Sequence, residues 1–324
     1  MKEPDARLPA PEQEERRRCF WSVYLLDKLV SCGRDRHPAL LDDCCAVRLP
    51  CHQATFHAGF HGATATLHQL LDWNEDLNAL SGNFSLAILA GSILGRCTRM
   101  ITFHDREVDD LPPWDLGSEY VSLNSALLLL ESRLQISTQP ISDVINATRC
   151  QDGTVNHQVA GHGIFAHTVF HLSYCLLNHP FLLRIQLRKL KIKAPSRFLY
   201  LAFQRSCDHA RNLVKVLRDA EEAGGHLGAS FYAYATCVAG GILLLNQHAE
   251  LHNQAARYSE LMSATQMAID ILEKLGSFWD HASKMVCFNG LQYSIWLAMT
   301  DSEVFFSTID FSTSTLRLTP LPRY

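Results

Sequence analysis

Long segments with a helical hydrophobic period make up most of this chain and constrain its fold more than any other feature. Within them apolar residues recur every three or four positions, whereas the alternating pattern of strands is scarce. These segments are residues 14–31, 64–79, 82–105, 117–134, 157–178, 196–223, 228–249, 254–280 and 283–299. We therefore predict an all-α fold: a single large domain of roughly nine to eleven helices packed in layers.

Three segments differ from this pattern and set the expected boundaries of the domain. Residues 1–13 hold three prolines and alternating charges, which predicts a disordered lead-in. Residues 135–156 are polar and contain Pro and Gly, so we expect a long surface loop or a linker between two lobes. The main domain is then expected over residues 14–300, followed by a Ser/Thr-rich tail over residues 301–324.

The overall charge argues against a protein that binds nucleic acid through its whole surface. The chain has 324 residues, of which 47% are hydrophobic, and its 29 Lys and Arg against 33 Asp and Glu give a net charge of -4. Domains that neutralise phosphates are usually basic or carry a concentrated basic face. We expect weak DNA binding, if any, by this chain alone.

The cysteines and apolar runs exclude further classes. Eleven cysteines are present without any Cys-x-x-Cys pair, which argues against the common structural zinc sites and indicates reduced intracellular thiols. The N-terminus shows no apolar signal segment. The longest apolar stretch, Phe231 to Leu245, is short for a membrane span. We expect no membrane interaction.

The most distinctive block lies within residues 14–50 and begins EERRRCFWSVYLLDK. Apolar residues cover nearly the whole circumference of the helix after Arg18, which predicts a buried helix. The three arginines could contact phosphate or an import receptor, or could pair with acidic residues such as Asp42 or Asp43. Asp27 needs a partner if it is buried, and Arg34 or Arg36 could supply one. The residues that characterise the block are Arg16, Arg17, Arg18, Phe20, Trp21, Asp27, Gly33, Arg34, Pro38, Asp42, Asp43 and Pro50.

On these residues, the chain resembles the middle homology region of fungal-specific transcription factors, a regulatory domain found downstream of a zinc-cluster DNA-binding module. Weaker similarity extends over residues 171–183, 206–217, 231–245 and 264–285. The resemblance implies a nuclear transcription regulator rather than an enzyme, controlling a gene cluster for secondary metabolism or nutrient use. Its implied partners are other transcription regulators or a second copy of the chain, a small-molecule effector, and DNA through the attached zinc cluster.

Two features depart from the family pattern. The family has several helices before the arginine block, which here begins about fifteen residues from Met1, so we expect the front part of the domain to be missing. The zinc-cluster cysteines are also absent, so we expect no cofactor or metal in this chain, and zinc only through an upstream cluster. An alternative is therefore a free-standing regulatory or ligand-sensing module that acts through a partner factor without touching DNA.

Three further patterns each have a functional and a structural interpretation. The basic stretch 184–197 could be an import signal or nucleic-acid contact, or a solvated helix face or loop. The pairs His167/His171 and His248/His252 could bind a metal in a His-rich helical enzyme, but no acidic residue completes either site. Residues 161–166, GHGIFA, match a loose dinucleotide fingerprint, yet no strand precedes them.

Overall fold

The computed structural model describes residues 7–32, 37–59, 64–71, 82–102, 111–136, 138–249 and 255–285. These residues fold into eleven α-helices and one short 3-10 turn at Asp42–Cys44. The helices are α1 (Ala10–Ser31), α2 (Gln53–His57), α3 (Leu67–Leu71), α4 (Asn83–Thr102), α5 (Glu119–Leu134), α6 (Ile141–Asn146), α7 (His157–Leu177), α8 (Pro180–Lys189), α9 (Ser196–Glu222), α10 (Ser230–Ala249) and α11 (Ala255–Gly276). In this part of the chain no strand forms, only isolated bridges at Arg48–Thr66 and Arg149–Val155. The all-α prediction is confirmed.

Helix α7 lies at the centre of the fold because its sequence is apolar on every side. It packs against α4 on one face and against α9 and α10 on another. Helix α1 lies outside α4, and α11 lies outside α9 and α10, which completes the layers. Side-chain N-caps begin two of these helices. Ser118 Oγ accepts a hydrogen bond from Val121 N at the start of α5, and Asn156 Oδ1 accepts one from Val159 N at the start of α7.

Helix α4 is long and apolar enough to cross a membrane, judged by length and composition, over Asn83–Ile101. Within the described residues it is the one helix that meets this test, and 78% of that window is buried inside the protein. Its apolar character is therefore used in packing against α7, α5 and α1.

Two expectations about α1 need correction. The helix begins at Ala10, so the lead-in predicted over residues 1–13 is at least partly helical. The cause is local: Pro9 occupies the N-cap and Pro11 the second helical position, where its missing N–H costs nothing. The helix is also not buried all round, because Val23 and Leu26 remain 52% and 59% exposed on the side away from α4.

The segment predicted as a loop or lobe linker, residues 135–156, contains helix α6. Ile141 and Ile145 of α6 are buried against α7 and α9, and belong to the same core cluster as the rest of the described helices. Among the described residues there is thus one continuous core, and the division into two lobes is not seen. The predicted helix at 283–299 lies mostly, and the tail at 301–324 entirely, outside the described residues.

Candidate functional site

Two arginines of the motif, Arg17 and Arg18, pair with Glu14, which lies about one turn before them on α1. Glu14 is fully buried, and its carboxylate accepts a hydrogen bond from Arg17 Nη1 and another from Arg18 Nε, each at 2.9 Å. The backbone N–H of Cys51 donates a third, also at 2.9 Å. A buried carboxylate is stable only when paired and hydrogen-bonded, and these three donors meet that need. Burial, and then the charge of Glu14, raises the pKa of the Cys51 thiol.

Arg18 also contacts α2 and the residues just before it. Its Nη2 donates to the Cys51 carbonyl at 2.7 Å, its Nη1 donates to Gln53 Oε1, and its guanidinium lies 4.6 Å from the centre of the Phe56 ring. All these contacts join α1 to a segment more than thirty residues away in sequence. Arg18 is therefore a tie between two parts of the fold.

Arg16 is the most exposed of the three arginines. It pairs with Glu12 at 2.9 Å on the surface of α1, and both side chains are about half exposed. Such i,i+4 pairs contribute only a few tenths of a kcal/mol. The charges of the motif are thus compensated within α1, and a phosphate would have to displace Glu12 or Glu14 to bind them.

A second buried ion pair lies about three turns after Arg18 on α1. It engages Asp42, one of the two acidic residues expected to pair with the arginines. Asp42 Oδ1 is 2.8 Å from Lys28 Nζ, whose side chain is only 4% exposed. Lys28 Nζ also donates to the Leu40 carbonyl at 2.8 Å and lies 4.7 Å from the centre of the Tyr24 ring. The predicted pairing of the arginines with Asp42 or Asp43 is therefore wrong, because Glu14 is nearer and Asp42 is engaged by Lys28. Asp43 is exposed.

Two hydroxyl groups complete the shell around Asp42. Tyr24 Oη donates to Oδ1 at 2.7 Å, and Ser92 Oγ on α4 donates to Oδ2 at 2.6 Å. Burial, followed by the nearby Asp42 charge, raises the pKa of Tyr24 well above its usual value, and the same causes raise the pKa of Cys45 to about 11. Asp42 therefore joins α1, the 3-10 turn and α4 at one point.

Two glycines on α4 allow α1 to come this close. A Cβ on Gly95 would lie 2.7 Å from Cδ of Lys28, and a Cβ on Gly91 would lie 2.5 Å from Cδ2 of Leu25. Real Cβ atoms essentially never show such distances. The five-residue stretch GSILG, residues 91–95, therefore provides a flat surface on which the Lys28 side chain runs toward Asp42, with Ser92 between the glycines.

Asp27 is held by backbone groups. Its two carboxylate oxygens accept from the N–H of Ala39 at 3.1 Å and of Leu40 at 2.9 Å. These bonds, together with the burial of Pro38, fix the returning segment against α1. Gly33 and Arg34, and the predicted pairing of Asp27 with Arg34 or Arg36, lie outside the described residues.

The aromatic residues of the motif are packed against the end of the same segment. Trp21 is completely buried, and its Nε1 donates to the Arg48 carbonyl at 2.8 Å. Its ring meets those of Phe20 and Tyr24 edge-on, each with centroids 5.0 Å apart. The carbonyl of the buried Pro50 accepts from Ser85 Oγ on α4 at 3.2 Å. Arg18, Trp21 and Asp27 thus hold residues 37–51 against α1, and Asp42 and Pro50 join the same segment to α4.

The histidines of α7 are part of the core. His167 and His171 are each 2% exposed, and Nδ1 of His171 lies 2.9 Å from Nδ1 of His209 on α9. His209 stacks on Tyr174 with ring centroids 3.9 Å apart. Burial lowers the pKa of His167 and of His209 to about 4, and that of His171 well below its usual value. Each of these imidazoles is therefore neutral near pH 7.

The described residues give no support to the metal and dinucleotide interpretations of the remaining motifs. No group of three or more potential ligands that could hold a metal occurs among the described residues, and His248 and His252 fall outside what is described of side chains. The GHGIFA stretch lies inside α7, which begins at His157, so it cannot form a strand-to-helix phosphate loop. No cysteine that the structure describes forms a disulfide.

A cavity of about 300 Å³ lies between α4 and α5. Arg96 lines it, with Nη2 2.9 Å from Glu119 Oε1 and 3.0 Å from Ser122 Oγ. The other lining residues are Leu71, Leu89, Ile93, Leu116, Val121, Ser125, Ala126 and Leu129. Most of the lining residues are apolar, but polar atoms, including those of Arg96, Ser122 and Ser125, contribute more than half of the cavity surface.

Comparison with known protein families identifies the same part of the chain as the arginine motif. Residues 2–109 match the family model described as the fungal specific transcription factor domain. The match covers about a third of the chain, and over this range the chain is similar to a fungal specific transcription factor domain. The matched range contains the whole arginine motif, so the network around Glu14 and Asp42 belongs to this domain, and the resemblance inferred from the sequence is confirmed there.

The relatives are longer proteins. The chain is 22% identical over 235 residues to the Zn(2)-C6 fungal-type transcription factor FTF1c of Fusarium oxysporum f. sp. lycopersici, an alignment that covers 69% of this chain and 24% of that protein. It is 26% identical over 133 residues to the uncharacterized transcriptional regulatory protein C1327.01c of Schizosaccharomyces pombe, covering 37% of this chain and 13% of that one. The chain thus spans about a quarter of the length of the first relative and a smaller share of the second. No solved structure matches it.

Proposed function

We propose that this chain is the regulatory region of a fungal transcription regulator of the zinc-cluster type. The observation that carries the proposal is the match of residues 2–109 to the fungal specific transcription factor domain, supported by relatives that are named as transcription factors. A family of transcription factors implies a role other than catalysis.

The mechanism follows from the helical packing. A body built on one core has few alternative arrangements, and a ligand or partner that binds one arrangement better shifts the equilibrium toward it. The junction of α1, residues 37–51 and α4 is a suitable element for such a change, because buried charges there require their partners. A small-molecule effector could bind in the cavity beside Arg96, where the guanidinium and the hydroxyl groups of Ser122 and Ser125 offer polar contacts next to apolar side chains. Other regulators or a second copy of the chain would bind the outer surface of the protein.

The test joins the chain to an unrelated DNA-binding module and measures transcription of a reporter that carries the module's site. We expect the fusion to change reporter output relative to the module alone at equal protein level. A fusion that leaves output unchanged in fungal cells would count against a regulatory role.

A second candidate function is a regulatory module that acts through a partner factor without contacting DNA. The internal compensation of the motif arginines and the net charge of -4 favour it. Titrating the chain alone with labelled duplex DNA at low salt separates the two readings of the arginines. Salt-sensitive binding that is lost in Arg17→Ala would contradict this second candidate.

We place the protein in the nucleus and expect it to control a gene cluster for secondary metabolism or nutrient use. Fluorescent tagging at the native locus tests the location. Sequencing the transcripts of a deletion strain tests the pathway, because scattered or absent expression changes would argue against control of a cluster.

A further inference from the structure

Helix α8, the turn that follows it and the first residues of α9 carry a run of basic residues with no acidic residue nearby in sequence. No Asp or Glu occurs between Asp152 and Asp208. The surface, called here the basic hairpin, has six cationic residues: Arg184, Arg188, Lys189, Lys191, Lys193 and Arg197. All but Arg184 are exposed, and none of the six forms an ion pair with any residue that the structure describes. This differs from the motif arginines, whose charges are compensated.

Apolar side chains share the outward face of α8 with these cations. Phe181 is 47% exposed and Ile185 is 42% exposed. They precede Arg188 and Lys189 at spacings of three, four, seven and eight residues, which places all four on one side of the helix. The opposite side packs inward through Leu183 and Leu187. The fold therefore leaves an apolar pair beside a cluster of cations facing solvent.

We propose that the basic hairpin binds an acidic protein segment that also carries apolar side chains. Carboxylates on such a segment would complement the cations and guide the encounter, whereas apolar side chains would cover Phe181 and Ile185. Duplex DNA would also complement the cations through its phosphates, but phosphates offer no apolar surface to these two side chains. The combination of both kinds of residue on one helix face favours protein over nucleic acid.

The first experiment measures binding of two fluorescent peptides of equal length and equal negative charge to the full chain by anisotropy. One peptide alternates acidic residues with Leu and Phe, and in the other every Leu and Phe is replaced by Ser. We expect the first to bind about tenfold tighter, and its affinity to fall about tenfold between 50 and 200 mM salt because exposed charges are screened. Equal affinity for the two peptides, or no binding of the first, would overturn the proposal.

Variants of the hairpin locate the site. The double variants Arg188→Glu/Lys189→Glu and Phe181→Ser/Ile185→Ser should each weaken binding of the first peptide at least tenfold, with helix content and unfolding midpoint unchanged. Matched controls change exposed residues elsewhere: Arg99→Glu/Lys215→Glu for charge and Leu128→Ser for apolar surface. Control variants that weaken binding as much as the hairpin variants would show a non-specific attraction.

Measuring the binding of duplex DNA distinguishes a nucleic-acid partner from a protein partner. If a twenty-base-pair duplex binds more tightly than the first peptide and loses affinity in Arg188→Glu/Lys189→Glu, the surface is a nucleic-acid contact and the proposal is wrong. The inference does not rest on the proposed regulatory function, since peptide binding and reporter output are measured separately.

Discussion

Removing the Asp42 carboxylate should destabilise the protein far more than removing its neighbour Asp43. In Asp42→Ala the Lys28 ammonium, 4% exposed, loses its ion pair, and the hydroxyl groups of Tyr24 and Ser92 lose their acceptor. Breaking a buried pair by removing one partner costs about 3–5 kcal/mol, because the other charge stays buried without compensation. That cost is a large part of the stability of a typical domain.

Urea unfolding followed by Trp fluorescence and by helical circular dichroism measures this difference. Asp43→Ala is the matched control, because Asp43 lies in the same 3-10 turn and is exposed. We expect it to change the free energy of unfolding by no more than about 0.5 kcal/mol. The double variant Lys28→Met/Asp42→Leu should recover most of the loss, since replacing a buried pair by apolar residues is often neutral. A loss below about 1 kcal/mol in Asp42→Ala, or equal losses in the two single variants, would refute the network.

The remaining predictions concern the rest of the core and are tested by the same unfolding assay. Glu14→Gln should lower the free energy of unfolding by about 3 kcal/mol, because Arg17 and Arg18 lose their common charge partner. Glu15→Gln, at an exposed position, should leave it nearly unchanged. Similar values for the two variants would contradict the ion-pair cluster around Glu14. Gly95→Ala should lower the free energy of unfolding by about 1–3 kcal/mol, because the added methyl group pushes Lys28 away from Asp42. Gly161→Ala, which has open space around its Cβ, should raise it by about 0.5–1 kcal/mol by stabilising α7. Changes of the same sign would argue against the close packing of α1 on α4. Because burial lowers the pKa of His167 to about 4, the unfolded chain binds more protons than the folded one between roughly pH 6.5 and 4. The free energy of unfolding should therefore fall as pH falls through that window. This fall should be shallower in His167→Leu than in His68→Leu, which changes an exposed histidine on α3. Identical pH profiles of the two variants would show that His167 does not contribute to the pH dependence of stability.

The helices were predictable from the sequence where the apolar period was long. The expected ranges 117–134, 157–178 and 196–223 differ by only one or two residues from α5, α7 and α9. Short helices such as α2 and α6 were missed, because five or six residues do not establish a period and their stability comes from packing on other elements. The burial of α1 was overestimated for a related reason: apolar residues such as Leu26 are exposed in the fold, and a sequence pattern does not show which neighbours are present.

The motif was recognisable, but its internal pairing was not. The sequence indicated that charged residues within an apolar helix need partners, and Asp27, Lys28 and Asp42 do have them. It did not indicate which acid meets which base, because contacts such as that of Arg18 with Cys51 depend on the path of residues 37–51. Two signals could have been used: Glu14 lies three and four residues before Arg17 and Arg18, the spacing of helical ion pairs, and the Gly91–Gly95 pair marks a close helix contact.

The central claim is that the arginine motif holds the fold together and does not serve as a handle for phosphate. The free energy of unfolding of Arg18→Met, set against that of Arg16→Met, tests it most directly. We predict a loss of about 2–4 kcal/mol for Arg18, whose partner Glu14 is fully buried, and less than about 0.5 kcal/mol for Arg16, which lies on the surface with Glu12. Two small and equal changes would contradict the claim.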